Sequence, residues 1–424
     1  LLFSLFLSFL TFNLTGYILI VSLVFFTLIL VLPLLFVLFL ILSVLLTWPL
    51  DSYLKGKIIK KAQQKLRQYP DLIIIGITGS YGKTSLKELL FDILSSKYTV
   101  VKTPSNINTP LGIARLIQEK ISDKTQIFIV EMGAYYQNDI KKICQLTKPQ
   151  ISVLTGINEA HLDRFGSLDK TIQTKFEIVE HMDRNGLVLL NADNDLIIDN
   201  YRKFIADQKT LFYSFKNHKF ANLKIKQKEF DPQKLQWQFN LLKGKKTFGR
   251  FTSKLLGEYS LGTISAACAI ALELGLEPIT IQAKVVQAKP ISHRLQPIVN
   301  SSGILVIDDS YNGNPDGAGQ AIQVLAKFEN KRKIYLTPGL VETGDKAQKI
   351  HQNIGKQLAE VADLIILIKN SVTPFIENGL IKKGFDPNNI LYFETATQAH
   401  QALSGILKAG DVILFQNDWP DNYQ

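Results

Sequence analysis

Leu72-Ile73-Ile74-Ile75-Gly76-Ile77-Thr78-Gly79-Ser80-Tyr81-Gly82-Lys83-Thr84-Ser85 decides the fold. Leu72 to Ile77 is short, apolar and mostly β-branched, the pattern of a central parallel strand. Gly79 and Gly82 then allow a tight turn with amides aimed inward, and Lys83-Thr84 opens a helix whose positive end faces the same spot. The arrangement predicts a phosphate cradle. Backbone amides of the Gly79–Gly82 turn would face the anion, Lys83 would add a point charge, and the Thr84 hydroxyl can ligate Mg²⁺, with Thr78, Ser80 and Ser85 completing the nucleotide-binding candidates. The spacing is a variant, since Gly79 stands only three positions before Gly82.

Working outward, short apolar runs alternate with amphipathic stretches. Strands are expected at Leu72–Ile77, Ile127–Glu131, Ile151–Thr155, Leu187–Leu190, Ile304–Asp308, Lys333–Thr337, Leu364–Ile368 and Val412–Phe415. The rhythm predicts an α/β protein with mostly parallel, doubly wound sheets, two of them in series. Residues 211–256 break it, and Leu235-Gln236-Trp237-Gln238-Phe239 suggests a small antiparallel addition. The expected domains are 72–295, a central nucleotide-binding unit, and 296–424, a second Rossmann-like α/β unit. A site between them suits an enzyme that joins two substrates.

Polar residues gather after the expected strand ends, where open α/β sheets bind ligands. Glu131 ends one strand and is a candidate Mg²⁺ ligand. His161 follows another, in Ala160-His161-Leu162-Asp163. Asp308-Asp309-Ser310-Tyr311-Asn312-Gly313-Asn314-Pro315 closes a third, and upstream of it His293-Arg294 offers a fixed positive fork able to reach a γ-phosphate. Lys175, Asn106 and Asn108 carry no such signal alone. The lysine reads as a helix surface residue and the asparagines as turn formers.

Residues 1–50 contain no charged side chain; Asp51 is the first. A membrane core takes about 20 apolar residues, so this stretch predicts transmembrane helices, with room for two passes broken near Asn13–Gly16 or at Pro33. The run exceeds the roughly 7–15-residue apolar core of a signal peptide. Residues 51–71 carry Lys55, Lys57, Lys60, Lys61, Lys65 and Arg67. A basic helix beside a membrane predicts cytoplasmic catalytic domains and contact with inner-membrane lipids. The net charge of +11 is read as serving that surface. No nucleic-acid motif accompanies it. Two cysteines, Cys144 and Cys268, exclude a disulfide framework and a four-cysteine zinc site.

Six motifs in order resemble the Mur ligases: Thr78–Ser85; Glu131-Met132-Gly133-Ala134; Ala160–Ser167; Lys175-Phe176-Glu177-Ile178; Asn191-Ala192-Asp193; and Asp309–Pro315. The last is similar to the branch that adds D-alanyl-D-alanine. The resemblance implies an ATP- and Mg²⁺-dependent amide ligase of peptidoglycan precursor synthesis, acting through an acyl phosphate on a muramoyl peptide. It implies Lys83 on the phosphates, Thr84 and Glu131 on one Mg²⁺, and His161 with a carbamylated Lys175 on a second. It places Asn108 near metal and acceptor, brings Arg294 and Asp309 to the nucleotide from across the cleft, and gives Asn106, Tyr311, Asn312, Asn314 and Glu342 to the substrates.

Three departures stand out. A membrane anchor is expected in place of the family's N-terminal UDP-gripping domain. Gly257-Glu258-Tyr259-Ser260-Leu261-Gly262-Thr263 replaces the adenine-side Gly-x-His-Asn-x-x-Asn. Thr337-Pro338-Gly339-Leu340-Val341-Glu342-Thr343-Gly344 replaces Gly-Asp-Met-x-Glu-Leu-Gly. Alternatives are another Mur-type amide ligase, of the poly-γ-glutamate or lipid-linked-precursor kind, or a silent nucleotide-binding scaffold at the membrane.

Overall fold

The computed structural model describes residues 2–104, 107–134, 136–158, 166–311, 313–341 and 343–416. Residues 1–61 form one compact unit and 62–424 another.

The first unit lies within a single helix, Leu2–Leu66, which runs through Pro33 and Pro49. The predicted break into two passes is therefore corrected. Each proline removes one backbone hydrogen bond, and the surrounding leucine-rich sequence favours helix strongly enough to continue it.

The second unit is built on two sheets. The first has nine strands: β1 Ile73–Thr78, β2 Val100–Lys102, β3 Ile127–Glu131, β4 Ile151–Leu154, β5 Leu187–Asn191, β6 Lys209–Ser214, β7 Leu223–Asp231, β8 Gln236–Lys243 and β9 Lys246–Ser253. Their spatial order is β2-β3-β1-β4-β5-β6-β7-β8-β9. Pairing is parallel from β2 to β7 and antiparallel across β7-β8-β9. The antiparallel addition expected in 211–256 is thus a continuation of the same sheet. Chain order reverses around β1, which has β3 on one side and β4 on the other. This is the switch point where such sheets bind ligands. Ile77 pairs with Glu131 and Thr78 with Leu154, so three strand ends finish at one level.

One face of this sheet is covered by the helices Lys83–Leu94, Tyr259–Glu273 and Pro278–Gln287. Ile75, Ile77, Leu86, Leu90, Ile129 and Ile270 are buried together there. Cys144 and Cys268 are both buried on helices.

The second sheet comprises β10 Gln296–Val299, β11 Leu305–Asp309, β12 Lys333–Thr337, β13 Leu364–Ile368, β14 Ile390–Phe393 and β15 Val412–Gln416, in the order β10-β11-β15-β12-β13-β14. Only β10 is antiparallel to its neighbour. Successive residues serve opposite faces. Tyr335 and Ile365 pack under the helices Pro315–Ala326, Ala347–Ala359 and Thr373–Lys382, while Ile334 and Ile366 pack toward Ala396–Ile406.

Ala347–Ala359 and Thr373–Lys382 touch backbone to backbone. A Cβ on Gly355 would sit 2.0 Å from the Ile376 carbonyl oxygen. Gly355→Ala must push the helices apart and should lower stability by about 1–3 kcal/mol, read as a lower midpoint in urea denaturation.

Candidate active site at the switch point

The loop after β1 folds as the glycines dictate. Gly79 has φ 149° and Gly82 φ 75°, the latter heading the helix Lys83–Leu94. Space forbids any other residue at two positions. A Cβ on Gly79 would lie 2.1 Å from Thr155 Oγ1, and one on Gly156 would lie 2.1 Å from Tyr81 Cζ. The loop and the segment after β4 are therefore interlocked. Ser80 N donates to Gly156 O at 2.8 Å, Thr155 Oγ1 donates to Tyr81 O, and Asn194 Nδ2 donates to Tyr81 Oη at 3.1 Å.

Lys83 Nζ curls back to donate to Gly79 O at 2.7 Å. Burial depresses its pKa; Arg294 adds to that and Glu131 opposes it. Thr84 Oγ1 donates to Glu131 Oε1 at 3.2 Å, and Glu131 is only 3% exposed. Thr78 turns away, its hydroxyl donating to Met132 O at 2.9 Å inside the sheet. Ser85 faces a neighbouring cleft. Asn108 packs against Gly133, whose amide donates to its carbonyl at 3.2 Å; a Cβ there would meet the Asn108 side chain at 2.8 Å. Asn108 is thus held two residues from Glu131.

Lys175 is 4% exposed on the helix Leu168–Glu180. Burial pushes its pKa down to about 7, the charge of Lys83 contributes, and Glu177 and Asp139 pull the other way. The expected surface lysine is in fact a buried amine beside Lys83. Glu177, two residues on, accepts from Asn138 N at 2.7 Å and Lys141 N at 2.9 Å, locking this helix to the start of Asp139–Thr147.

The second sheet contributes from across the cleft. Arg294 stands 5.5 Å from the centre of the Tyr311 ring and bears electrostatically on both Lys83 and Asp309. Asp309 Oδ1 accepts from Leu295 N at 3.1 Å. His293, at φ 62°, bonds Asp308 Oδ2 through Nδ1 at 2.8 Å. Asn158 Nδ2 donates to Asp316 Oδ2 at 2.9 Å, tying the segment after β4 to the helix Pro315–Ala326. Asn314 caps that helix, accepting from Gly317 N at 2.9 Å. Next to the loop, a cleft is lined by Ser85, Leu255, Gly257, Tyr259, Thr263 and Arg294, among others.

The structure therefore brings Lys83, Thr84, Glu131, Asn108, Lys175, Arg294 and Asp309 to one region. His161, Asn106, Asn312 and Glu342 lie outside the described residues. Sequence reasoning passed over Lys87, fully buried with Nζ 3.0 Å from Glu131 Oε2. It lies one helical turn beyond Lys83, a position that does not by itself mark a lysine as buried. Among the described residues no three His, Cys, Asp or Glu side chains cluster as a metal cage. Mg²⁺ commonly uses one or two carboxylates together with substrate phosphates, so the buried Glu131 beside the Thr84 hydroxyl suits it.

Burial raises the Asp309 carboxyl from its ordinary 3.8 to about 7, against the pull of Arg294 and the Leu295 amide. The folded protein then holds a proton there that the unfolded chain has lost. The resulting stabilisation is complete below pH 3.8 and disappears as pH rises through about 7. Stability measured by urea denaturation from pH 4 to 7 should therefore fall in the wild type relative to Asp309→Asn, by at most about 1.4 kcal/mol per pH unit. A constant difference would mean an ordinary carboxylate.

Comparison with known proteins gives two family matches, the Mur ligase middle domain over residues 77–271 and the Mur ligase, glutamate ligase domain over 293–416. Among curated proteins, the UDP-N-acetylmuramoyl-tripeptide–D-alanyl-D-alanine ligase of Haemophilus influenzae is 28% identical over 288 residues, covering 67% of this chain and 61% of the relative. The enzyme of the same name from Bacillus subtilis is 26% identical, covering 81% and 72%. Among solved structures, MurF from Acinetobacter baumannii (24% identity, TM-score 0.74) covers 86% of this chain and 77% of its own. The MurF ligase from Thermotoga maritima in complex with ADP (24%, 0.74) covers 86% and 80%. These two establish a shared fold.

The comparisons also correct the expected location at the cytoplasmic membrane. The characterised relatives are soluble cytoplasmic enzymes. Tyr17–Leu66 is long and apolar enough to cross a membrane by length and composition only, a test that a signal sequence near an N-terminus also passes. The reading failed because hydropathy reports what a segment can enter, not where a protein resides.

With both family models matched in order across three quarters of its length and the motif residues gathered at the end of β1, the chain belongs to the Mur ligase family.

Proposed function

We propose that the chain is an ATP-dependent amide ligase of peptidoglycan precursor synthesis, joining D-alanyl-D-alanine to the terminal carboxylate of a muramoyl tripeptide. The observation that carries this reading is the convergence of Lys83, Thr84, Glu131, Lys175 and Arg294 on the end of β1. The names of its relatives support the substrates, and the ADP in the Thermotoga structure supports the nucleotide. The working parts are the domains 72–295 and 296–424.

The reaction brings anions together, a triphosphate and a carboxylate, so it needs fixed cations in a dry site. The peptide carboxylate takes the γ-phosphoryl group, giving an acyl phosphate and ADP. The D-alanyl-D-alanine amine attacks the acyl carbon, the tetrahedral intermediate collapses, and phosphate leaves with formation of the amide. Lys83 and the amides of the 79–84 turn hold the phosphates, and Arg294 and Asp309 reach them from the second sheet. Bound Mg²⁺, held by Thr84 and Glu131, supplies charge neutralisation between the two anions. Lys175, with its pKa near 7, is an amine ready to take up CO₂ as a carbamate; with His161 it offers ligands for a second cation. Asn108 orients the acceptor, Asn106, Tyr311, Asn312, Asn314 and Glu342 are assigned to the substrates, and the two domains come together. Their approach excludes the water that would hydrolyse the acyl phosphate.

Phosphate release from ATP should require both UDP-linked muramoyl tripeptide and D-alanyl-D-alanine, and should fall on the order of 10²–10³-fold in Lys83→Ala. Turnover only with glutamate or ammonia would assign another ligase of the family. Protein equilibrated with ¹³C-bicarbonate should show a carbamate resonance that grows from pH 6 to 8 and is missing in Lys175→Ala. An ordinary lysine would need far higher pH.

A further inference from the structure

Lys87 is completely buried, which is rare for a lysine unless it is paired. It projects from the inner face of the helix that also carries Lys83 and Thr84. Its Nζ is 3.0 Å from Glu131 Oε2 and 3.6 Å from Glu88 Oε1. Glu88 is already balanced by Lys102, which contacts its other oxygen. Neither Lys87 Nζ nor Glu131 Oε2 makes a hydrogen bond among the described residues, so each is met by the charge of the other. The two oxygens of Glu131 therefore differ. Oε2 is given over to a buried cation, and Oε1 faces the Thr84 hydroxyl at 3.2 Å.

We propose that Lys87 is a positioning residue that makes the site selective for magnesium over larger divalent cations, by reserving one oxygen of Glu131 and leaving a single oxygen for the metal. The inference rests on the reading of Thr84 and Glu131 as the metal-holding pair of a nucleotide site. Mg²⁺ takes ligands at about 2.0–2.1 Å in a strict octahedron, usually with few protein carboxylates. Ca²⁺ accepts six to eight oxygens at about 2.3–2.6 Å and readily grips a carboxylate by both. A cation fixed on Oε2 opposes that second grip both sterically and electrostatically. It also keeps the buried carboxylate from being an uncompensated charge. An ion pair that served folding alone would leave the choice of metal untouched.

The test is calorimetric titration of ADP into the full chain with Mg²⁺ or Ca²⁺ as the only divalent cation, in wild type, Lys87→Met and Lys87→Arg. Wild type should bind ADP at least about tenfold more tightly with Mg²⁺, a difference of about 1.4 kcal/mol. Lys87→Met should bring the two affinities within about threefold, mainly through a gain with Ca²⁺. Lys87→Arg, which keeps a cation on Oε2, should retain the wild-type preference. Should Lys87→Met not fold, Lys87→Gln serves the same comparison. An unchanged Mg²⁺/Ca²⁺ ratio in the neutral variants, whatever their absolute affinity, overturns the role of Lys87. Failure of wild type to bind ADP in a metal-dependent way overturns the nucleotide-site reading instead.

Discussion

The site depends on one steric constraint, the interlock between the turn after β1 and the segment after β4. Gly79 lies against the Thr155 hydroxyl and Tyr81 against Gly156, each at a distance that excludes a Cβ. Because β4 is hydrogen-bonded to β1 in register, the interlock converts a property of the sheet into the shape of the loop. The loop holds its form through contacts with a buried strand end, so its amides need no ligand to organise them. Such preorganisation is what makes fixed dipoles effective toward developing charge.

Electrostatics then divides the labour. Lys83, Lys175 and Arg294 gather on one side of a region with little solvent, and each bears on another: Arg294 and Lys83 both act to lower a neighbouring lysine. A cluster of cations this close is costly unless anions join it, and Glu131 is among the few carboxylates within reach. An anion bound among them would supply the missing charge, so the same repulsion that burdens the resting protein would favour its binding. Lys175 shows the gain. Desolvation and a cationic neighbour bring an unremarkable helix lysine down to a pKa of about 7, where a large fraction of its amine is uncharged.

Much of this was legible in the sequence because it rests on strand ends. β3, β12 and β13 fall where apolar runs of three to five residues predict them. Glu131 and Asp309 were marked by closing such runs. Less legible were the short edge strands β2 and β14 and the strand β6, whose apolar runs span only two to four residues and are mostly only partly buried. Lys175 and Lys87 were opaque for a different reason. A lysine on an amphipathic helix reads as solvated, and only the packing of the helix against the strand tips reveals that these two point inward. Only likeness to a family brought Lys175 to notice, and nothing brought Lys87. Asn314 carries a signal that fits two meanings, since an asparagine before proline is a helix cap as readily as a ligand.

The bond from Asn158 to Asp316 spans the two sheets close to the loop. It is exposed to water, so it contributes only about 1 kcal/mol, comparable with thermal energy. A clasp that weak favours the docked arrangement without welding it. Its donor sits two residues beyond Gly156, the glycine that Tyr81 presses against. Asn158 N also donates to Ser80 Oγ at 3.3 Å, so the turn and the clasp share a residue. The grip of one half of the molecule on the other is thereby tied to the shape of the turn after β1.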